Sequence, residues 1–397
     1  KKDKIILVLT GSNWQTEIIN EVKNNNFKVY LVDRNKDCFC KQYADKFFVH
    51  DVQDYHGLIN ILKNENINGI LAEQTDVAVL TGAKLAKYFK IQGLDIEQAK
   101  TLTDKYYMRQ FCEENKIPIP RYFCVKNVKD ACAAAKDINY PVIIKPADNQ
   151  SSRGVTKVWQ EENIEESFNL ALKFSKSNKV LVEELLIGYE SSVELYVTKE
   201  KIHLLGISEK TKSFPPYSYD VKLIYPPSFS QKVTQSLIEV SNNIIKALNL
   251  KSSLVHAEYI VTPKGVYLLE IAGRGCGAGV ISLLIPKITN FNPIRQRIFD
   301  CLDIPSNEPI VKNNIKTGIL EFLQFPEGKV KSIDGLDNAR SIRGVVDLKI
   351  NFKIGDYIKY ATNGAERLAS LHVVGETRED AEKIAYKAKK EIRVNFE

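Results

Sequence analysis

Two glutamates stand in an apolar, β-branched stretch of the sequence, HAEYIVTPKGVYLLEIAGRGCGAG, which covers residues 256–279. They are Glu258 and Glu270, and no basic residue stands beside either one along the chain. A buried carboxylate is costly unless a partner neutralises it, so the two acids call for a shared cation or ligand. Hard oxygen ligands suit Mg²⁺, which typically takes one or two carboxylates together with substrate phosphates. The alternative is a pair of solvent-exposed strand acids.

The element that must position these acids is a β-hairpin, predicted from apolar strands at 254–262 and 266–271 with the turn TPKG between them. Side chains alternate faces along a strand, so His256 and Glu258 share one face. If the register puts Glu270 on that face too, the mutual repulsion of the acids requires a cation. His256 then either lines the cleft as a plain polar residue or orients substrate or transfers a proton.

A stretch further upstream, YPVIIKPADNQSSRGV (140–155), carries residues suited to phosphate. It places Lys145 at the end of a buried strand, and a small polar loop with Ser151, Ser152 and Gly154 follows. Backbone N–H groups and hydroxyls in such a loop can cradle phosphates, while the lysine adds a point charge. A solvated hairpin loop is the alternative.

In the next stretch, VLVEELLIGYESSVE (180–194), a strand, an acidic and apolar hinge and a second strand follow one another. Backbone groups from Glu184 to Leu186 could pair with a purine edge, and Glu190 could accept both ribose hydroxyls. Together with the polar loop and the paired acids, this order of motifs resembles the ATP-grasp ligases.

The resemblance covers nearly all of the chain. The pattern of motifs is most similar to that of L-amino acid ligases and biotin-carboxylase-like enzymes. It implies that two α+β subdomains hold ATP, and that a carboxylate becomes an acyl phosphate which a nucleophile attacks. It also implies Mg²⁺ as the metal, with Mn²⁺ as a substitute. The positions that match are Lys105 and Lys145 for phosphate, Ser151, Ser152 and Gly154 in the lid loop, Glu183, Glu184, Leu185 and Leu186 at the adenine hinge, Glu190 for ribose, Glu258 and Glu270 for the metal, and Arg274, with catalytic roles for Lys145 and Arg274.

One position departs from the pattern of that family. The usual signature on the second strand is Glu-x-Asn-x-Arg, and this chain has EIAGR, with Ala272 in place of the asparagine. The change predicts a weaker hold on a second metal ion. Arg274 lies just past the strand end, where its planar guanidinium suits a carboxylate or a phosphoryl oxygen.

The fold class predicted is α/β and α+β. Short apolar strands alternate with amphipathic helices over residues 1–100, which indicates an N-terminal parallel-sheet domain. An ATP-grasp domain is expected over 101–300, with a mobile lid at about 119–185 and an antiparallel-sheet core. A C-terminal α+β portion over 301–397 is expected to close over that sheet. The Pro- and Tyr-rich segment 209–227 is expected to be a specificity loop.

Composition excludes several classes of function. The net charge of +7 is spread out without a long basic block, which argues against nucleic acid as the main ligand. No run approaches the roughly 18 apolar residues of a membrane span. The apolar run 5–9 is too short for a signal-peptide core. Seven cysteines without a CxxC pair fit free thiols in a reducing cytosol, so a cytoplasmic location is expected. Cys276 is interpreted as a loop filler, the alternative being a nucleophile.

The function predicted is ATP-dependent, ADP-forming ligation of a carboxylate to an amine, with an amino acid as one candidate substrate. The expected partners are therefore small molecules, with neither nucleic acid nor membrane, and a homodimer is compatible with this. A biotin-carboxylase-like enzyme that uses bicarbonate is one alternative. The other alternative is an ATP-binding regulatory protein that has lost catalysis, which would explain Ala272 in place of the asparagine.

Overall fold

The computed structural model of the chain describes residues 4–149, 153–214, 219–305 and 316–397. Its N-terminal elements are β1 (Ile5–Leu9), α1 (Thr16–Asn24), β2 (Lys28–Asp33), β3 (Lys46–Val49), α2 (Tyr55–Leu62), β4 (Ile67–Leu71) and α3 (Val79–Phe89). The strands form a four-stranded parallel sheet in the order β3-β2-β1-β4. Parallel strands are covered on both faces, which explains why β1 is buried at every position after its first. The strand and helix alternation predicted this sheet, and the structure confirms it.

Two further helices, α4 (Ile96–Thr101) and α5 (Lys105–Glu114), connect this sheet to the next unit. The Asp104 carboxylate caps α5 by accepting two backbone N–H bonds of its first turn. The cap makes Lys105 the first residue of the helix. Arg109 lies four residues further on and therefore on the same face.

The next unit is a small antiparallel sheet with its own core. Its elements are β5 (Tyr122–Val125), α6 (Val128–Ile138), β6 (Val142–Pro146), β7 (Thr156–Val158), α7 (Ile164–Phe174) and β8 (Val180–Glu184). The four strands are ordered β5-β8-β6-β7. Apolar side chains of both helices and all four strands form a separate cluster, with Phe168 and Val182 among them. A separate core is compatible with the lid proposed for about 119–185.

The largest sheet has eight strands, in the order β13-β12-β9-β10-β11-β14-β18-β16. The remaining elements of the chain are β9 (Tyr189–Val197), β10 (Ile202–Lys212), β11 (Asp220–Tyr225), α8 (Gln231–Leu248), β12 (Ser253–Thr262), β13 (Gly265–Ala272), α9 (Ile285–Thr289), α10 (Pro293–Cys301), β14 (Thr317–Leu323), β15 (Gly328–Asp334), α11 (Leu336–Ser341), β16 (Val345–Ile350), β17 (Tyr357–Ile358), β18 (Ala369–Gly375), α12 (Arg378–Glu391) and β19 (Arg393–Phe396). All strand pairs of the eight-stranded sheet are antiparallel. The predicted hairpin is β12–β13 and lies at one end of this sheet.

The C-terminal portion both extends the large sheet and covers it. Strands β14, β16 and β18 continue the sheet beyond β11, and α12 packs against β14 and β18. The remaining strands form a small sheet in the order β17-β15-β19. The predicted fold class is confirmed: a parallel N-terminal sheet, an antiparallel core and a C-terminal α+β portion.

Two local expectations need correction. The sequence indicated no strand at β5, because the prolines at 118 and 120 directly precede it and suggest an irregular link. The segment 209–227, expected to be a specificity loop, consists largely of β10, which runs to Lys212, and of β11, which begins at Asp220. Its positions 215–218 lie outside the described residues.

All seven cysteines are free thiols, as their number and spacing predicted. Burial raises the pKa of Cys40 to about 11 and that of Cys301 to about 12, so both thiols stay protonated near neutral pH. Within the described part of the chain, no helix combines the length and the apolar character that crossing a membrane requires.

Candidate active site

A cavity of about 1410 Å³ opens between the lid unit and the large sheet. The lid contributes β6, β7 and the end of β8, and the sheet contributes β10 and the hairpin β12–β13. Thr362 and Asn363 of the C-terminal portion also line it. Most of the predicted site residues that the structure describes meet here, namely Lys105, Lys145, Glu183, Glu184, Leu185, Leu186, Glu190, Glu258 and Glu270.

The paired acids lie directly opposite each other in the hairpin. Glu258 and Glu270 are cross-strand partners, with a register shift immediately after Glu258. The Nζ of Lys210 lies 2.6 Å from Oε1 of Glu258, and the Nζ of Lys105 lies 2.8 Å from Oε1 of Glu270. In the described contacts each acid engages its Oε1, and the side chains remain 27% and 35% exposed on the cavity wall. Two hard carboxylate ligands beside an open cavity fit Mg²⁺ or Mn²⁺.

Lys210, which the sequence analysis did not single out, lies between two acids. Its side chain is 1% exposed and contacts Glu258 and Asp220. Burial disfavours its charge, but the two carboxylates outweigh burial and raise its pKa well above the ordinary value. The pKa of Glu258 is correspondingly held well below its usual range, against burial, by Lys210 and His256. Glu258 therefore stays ionised, as a metal ligand must.

Lys145 is buried at the end of β6 and contacts a carboxylate that is itself shared. Its Nζ lies 2.6 Å from Oε2 of Glu183. Nε and Nη2 of Arg109 donate to the two oxygens of the same carboxylate at 2.9 and 3.1 Å. Burial, together with the nearby cations Arg109 and Lys105, outweighs Glu183 and lowers the pKa of Lys145 to about 8. The two cations overcome burial of Glu183 and hold its pKa at about 2.

Arg109 connects the lid unit to the hairpin. Besides Glu183 on β8, its guanidinium donates to the carbonyl oxygen of Leu269 on β13 at 2.9 Å. The side chain is completely buried. Glu183 was predicted to be part of the adenine hinge, whereas its carboxylate lies in this ion-pair cluster. In the sequence, Arg109 could have been recognised by its spacing of four residues from Lys105, which puts both side chains on one helical face.

The hinge residues after β8 line the cavity, and two of their amide groups are already engaged. The N–H of Glu184 donates to the carbonyl of Arg121 at 2.9 Å, and that of Leu185 to Pro141 at 3.3 Å. Leu186 follows them along the cavity wall. A purine edge at this hinge would therefore meet carbonyl groups or the backbone of Leu186.

Glu190 lies on β9 at the same cavity, where its carboxylate contacts Lys212 at 2.7 Å. Lys212 also contacts Asp220 at 2.9 Å, so this carboxylate belongs to the same chain of charges as Lys210. Burial disfavours the charge of Lys212, but Asp220 and Glu190 outweigh burial and raise its pKa. The sequence analysis did not identify Lys212 either.

The predicted phosphate loop is described only at one of its three positions. Ser151 and Ser152 lie outside the described residues. Gly154 has a φ of +73°, and a Cβ there would approach Phe174 to 3.0 Å. Only glycine adopts this conformation without strain, so the loop conformation depends on this residue.

Arg274, expected to suit a carboxylate or a phosphoryl oxygen, forms an ion pair with the N-terminal unit. Its Nε and Nη2 donate to the two oxygens of Asp76 at 2.6 and 2.8 Å, and Nη1 donates to the carbonyl of Gly275 at 3.1 Å. It is not among the described residues that line the cavity. Burial opposes its charge, but Asp76 outweighs burial and raises the pKa of the guanidinium. The sequence could not show this because Asp76 belongs to the N-terminal unit.

Two segments of the chain match models of known families. Residues 138–282 match the model of the ATP-grasp domain, and residues 321–397 match that of the L-amino acid ligase C-terminal domain 2. Residues 138–282 are thus similar to an ATP-grasp domain. Residues 321–397 are similar to the C-terminal domain 2 of L-amino acid ligases.

Solved structures with a similar fold cover nearly the whole chain. The crystal structure of L-amino acid ligase from Bacillus licheniformis is similar over 100% of both chains, with a TM-score of 0.84 and 16% identity. The biotin carboxylase domain of the 2-oxoglutarate carboxylase from Hydrogenobacter thermophilus, solved with MgADP, ADP and bicarbonate, covers 99% of this chain and 90% of its own, with a TM-score of 0.78 and 15% identity. At these identities the likeness concerns the fold.

A curated relative is the carbamoyl phosphate synthase large chain of Clostridium acetobutylicum, which is 24% identical over 258 residues. The match covers 64% of this chain and 24% of that protein. The chain thus spans about a quarter of the length of that relative.

Proposed function

We propose that this chain is an ADP-forming ligase that activates a carboxylate as an acyl phosphate and joins it to an amine, with an amino acid as the carboxylate substrate. The observation that carries the proposal is the direct cross-strand pairing of Glu258 and Glu270 on the wall of a cavity large enough for a nucleotide and a second substrate. The match of residues 321–397 to an L-amino acid ligase domain favours an amino acid.

The cationic side chains of the cavity suit triphosphate binding. Lys105 and Lys145 extend into it from two different units, and the pKa of Lys105 is raised because Glu270 outweighs its burial. Phosphate oxygens would take over part of the charge that Glu270 and Glu183 now offer these lysines. Glu190, with Lys212 beside it, is proposed to accept the ribose hydroxyls, and the backbone from Glu184 to Leu186 to pair with the adenine.

The residues near the carboxylate pair suit phosphoryl transfer between two anions. Bound Mg²⁺ would neutralise charge on the phosphates and bring the carboxylate close to them. Glu258 and Glu270 would hold the ion, while Lys210 and Lys105 fix the two carboxylates in place. Asp76 and Gly275 use three of the N–H bonds of Arg274. A guanidinium has five N–H groups, so Arg274 is proposed to reach the substrate carboxylate with the remaining two.

Ala272 stands where the family usually has asparagine. It is 2% exposed and pairs with His256 across the hairpin. The position thus offers no ligand atom, and we propose that the metal is held by Glu258 and Glu270 together with the phosphates.

The direct experiment is a phosphate-release screen with ATP and Mg²⁺ over amino acids and small carboxylates, singly and in pairs, with mass analysis of the products. The expected result is phosphate release that requires a carboxylate and an amine, with a condensed product. Bicarbonate-dependent release stimulated by biotin would instead establish the biotin-carboxylase-like alternative. Nucleotide binding without release from any pair would favour a regulatory protein that has lost catalysis.

A further inference from the structure

A cluster of three chemically different side chains lies behind the carboxylate pair. Glu194 on β9, His256 on β12 and Cys276 after β13 are all buried, and their ligand atoms lie within 4.8 Å of one another. The proposed ligase mechanism uses none of these three groups. A carboxylate oxygen, an imidazole nitrogen and a thiol sulfur are the ligand types that Zn²⁺ takes in proteins.

One oxygen of Glu194 is fully engaged and the other is not. Oε1 accepts hydrogen bonds from Ser192 and Tyr225 at 3.1 and 3.2 Å, and it lies 2.8 Å from Nδ1 of His256. Oε2 is buried and has no hydrogen-bond partner. A buried carboxylate oxygen without a partner is costly, and a cation is the kind of partner that would remove the cost.

The second nitrogen of His256 is oriented by a neighbouring acid. Nε2 lies 3.2 Å from Oε1 of Glu258, so the ring is held between two carboxylates. A histidine that ligates a metal through one nitrogen usually donates its other N–H to a carboxylate, which fixes the ring. The geometry of His256 already has this arrangement.

We propose that Glu194, His256 and Cys276 form a site for a divalent transition metal of the zinc class, separate from the carboxylate pair that would hold Mg²⁺. Binding displaces the thiol proton of Cys276 and one imidazole proton of His256 to solvent. Two anionic ligands then balance the two charges of the ion, which makes the buried site neutral. A sulfur ligand selects zinc-like ions over Mg²⁺, which prefers oxygen.

The present spacing is close to that of a bound metal. Tetrahedral coordination with the usual zinc bond lengths places ligand atoms roughly 3.4 to 3.7 Å apart. The ligand atoms of the three residues lie within 4.8 Å of one another, so the site would contract by at most about 1.4 Å to reach these separations.

The test is metal binding to the full chain after treatment with a chelator. The protein is titrated with Co²⁺, with Mg²⁺ in excess to fill oxygen-only sites, and the thiolate-to-cobalt charge-transfer band is recorded. Retained Zn²⁺ is measured in parallel after dialysis. We expect one equivalent of metal with the thiolate band. Loss of an outer-shell partner costs about 10- to 100-fold in metal affinity, so Cys276→Ser should weaken binding by at least the upper value.

Controls separate the site from other thiols and from misfolding. Cys124→Ser removes a half-buried thiol of the lid and should leave the band unchanged. Glu194→Gln keeps the side-chain shape, so it tests the site a second time if Cys276→Ser folds poorly by circular dichroism. Absence of the band in the wild type would overturn the proposal. Metal affinities of Cys276→Ser and Glu194→Gln that both equal the wild-type affinity would overturn it as well. Because the readout is metal binding, its failure leaves the proposed ligase activity untouched, and the converse also holds.

Discussion

Both carboxylate oxygens of Asp76 accept hydrogen bonds from Arg274, from Nε at 2.6 Å and from Nη2 at 2.8 Å. The pair joins the N-terminal unit to the glycine-rich segment that follows the hairpin β12–β13. The side chains of Asp76 and Arg274 are 8% and 13% exposed, so this ion pair is shielded from solvent. The position of Arg274 relative to a substrate therefore depends on a residue almost 200 positions upstream.

Replacing the guanidinium of Arg274 by the point charge of a lysine should impair turnover more than nucleotide binding. A lysine cannot bridge both oxygens of Asp76, so Arg274→Lys should lower kcat about tenfold or more. ATP affinity should stay within about twofold because the proposed nucleotide contacts remain. Calorimetric ATP binding and steady-state turnover measure the two quantities. Arg121→Lys, at an exposed pair with Asp137, is the matched control. Equal losses of affinity and turnover would place Arg274 in the nucleotide site instead.

The lowered pKa of Lys145, about 8, predicts a pH dependence of ATP binding. The lysine is charged below that pH and neutral above it, so affinity for a non-hydrolysable ATP analogue should fall as pH rises through about 8. Lys145→Arg should remove this inflection because a guanidinium keeps its charge. Lys105→Arg should retain it, since the pKa of Lys105 is raised and that lysine stays charged throughout. An inflection that survives in Lys145→Arg would refute the assignment.

Arg109 should be far more important for stability than an exposed arginine. Arg109→Ala leaves Glu183 buried without its main partner, which should cost about 3 to 5 kcal/mol of unfolding free energy. Arg121→Ala, at an exposed ion pair, should cost at most about 1 kcal/mol. Urea unfolding followed by circular dichroism measures both values. Similar losses in the two variants would contradict the connecting role of Arg109.

A closing lid should change the surroundings of Trp159. This side chain is 64% exposed on the lid and lines the cavity. The sequence contains two tryptophans, so Trp14→Phe leaves Trp159 as the single indole. In that background, ATP with Mg²⁺ should shift the emission to shorter wavelength as the lid excludes water. Limited proteolysis near residues 147–155 should slow at the same nucleotide concentration. Unchanged emission and unchanged cleavage at saturating nucleotide would argue against closure.

Much of the fold was predictable from sequence because apolar periodicity is local. Strand β1 and the hairpin β12–β13 were expected within about one residue of their bounds, since alternation and turn residues define them. Strand β5 was missed because prolines precede it. The helix α5 was missed because its buried face includes Arg109, a residue that a hydrophobic pattern does not count.

The site was predictable only where a motif is continuous in sequence. The facing of Glu258 and Glu270 follows from one hairpin, and the structure shows the two acids opposite each other. Contacts between distant segments could not be predicted, and they decide the surroundings of Arg274 and of Lys145. The C-terminal residues Thr362 and Asn363 lie between β17 and β18 and line the cavity, which no local pattern reveals.

The most direct measurement follows the oxygen atoms of the carboxylate substrate. A substrate pair found in the phosphate-release screen is supplied with ¹⁸O in its carboxylate, and the phosphate and nucleotide products are analysed by mass. An acyl phosphate requires one labelled oxygen to leave in inorganic phosphate, with ADP as the nucleotide product. Glu270→Gln, folded by circular dichroism, should lose both products, whereas Asp137→Asn at an exposed pair should keep them. Label in AMP, or ADP formed with unlabelled phosphate, would contradict phosphoryl transfer to a carboxylate at the Glu258–Glu270 pair.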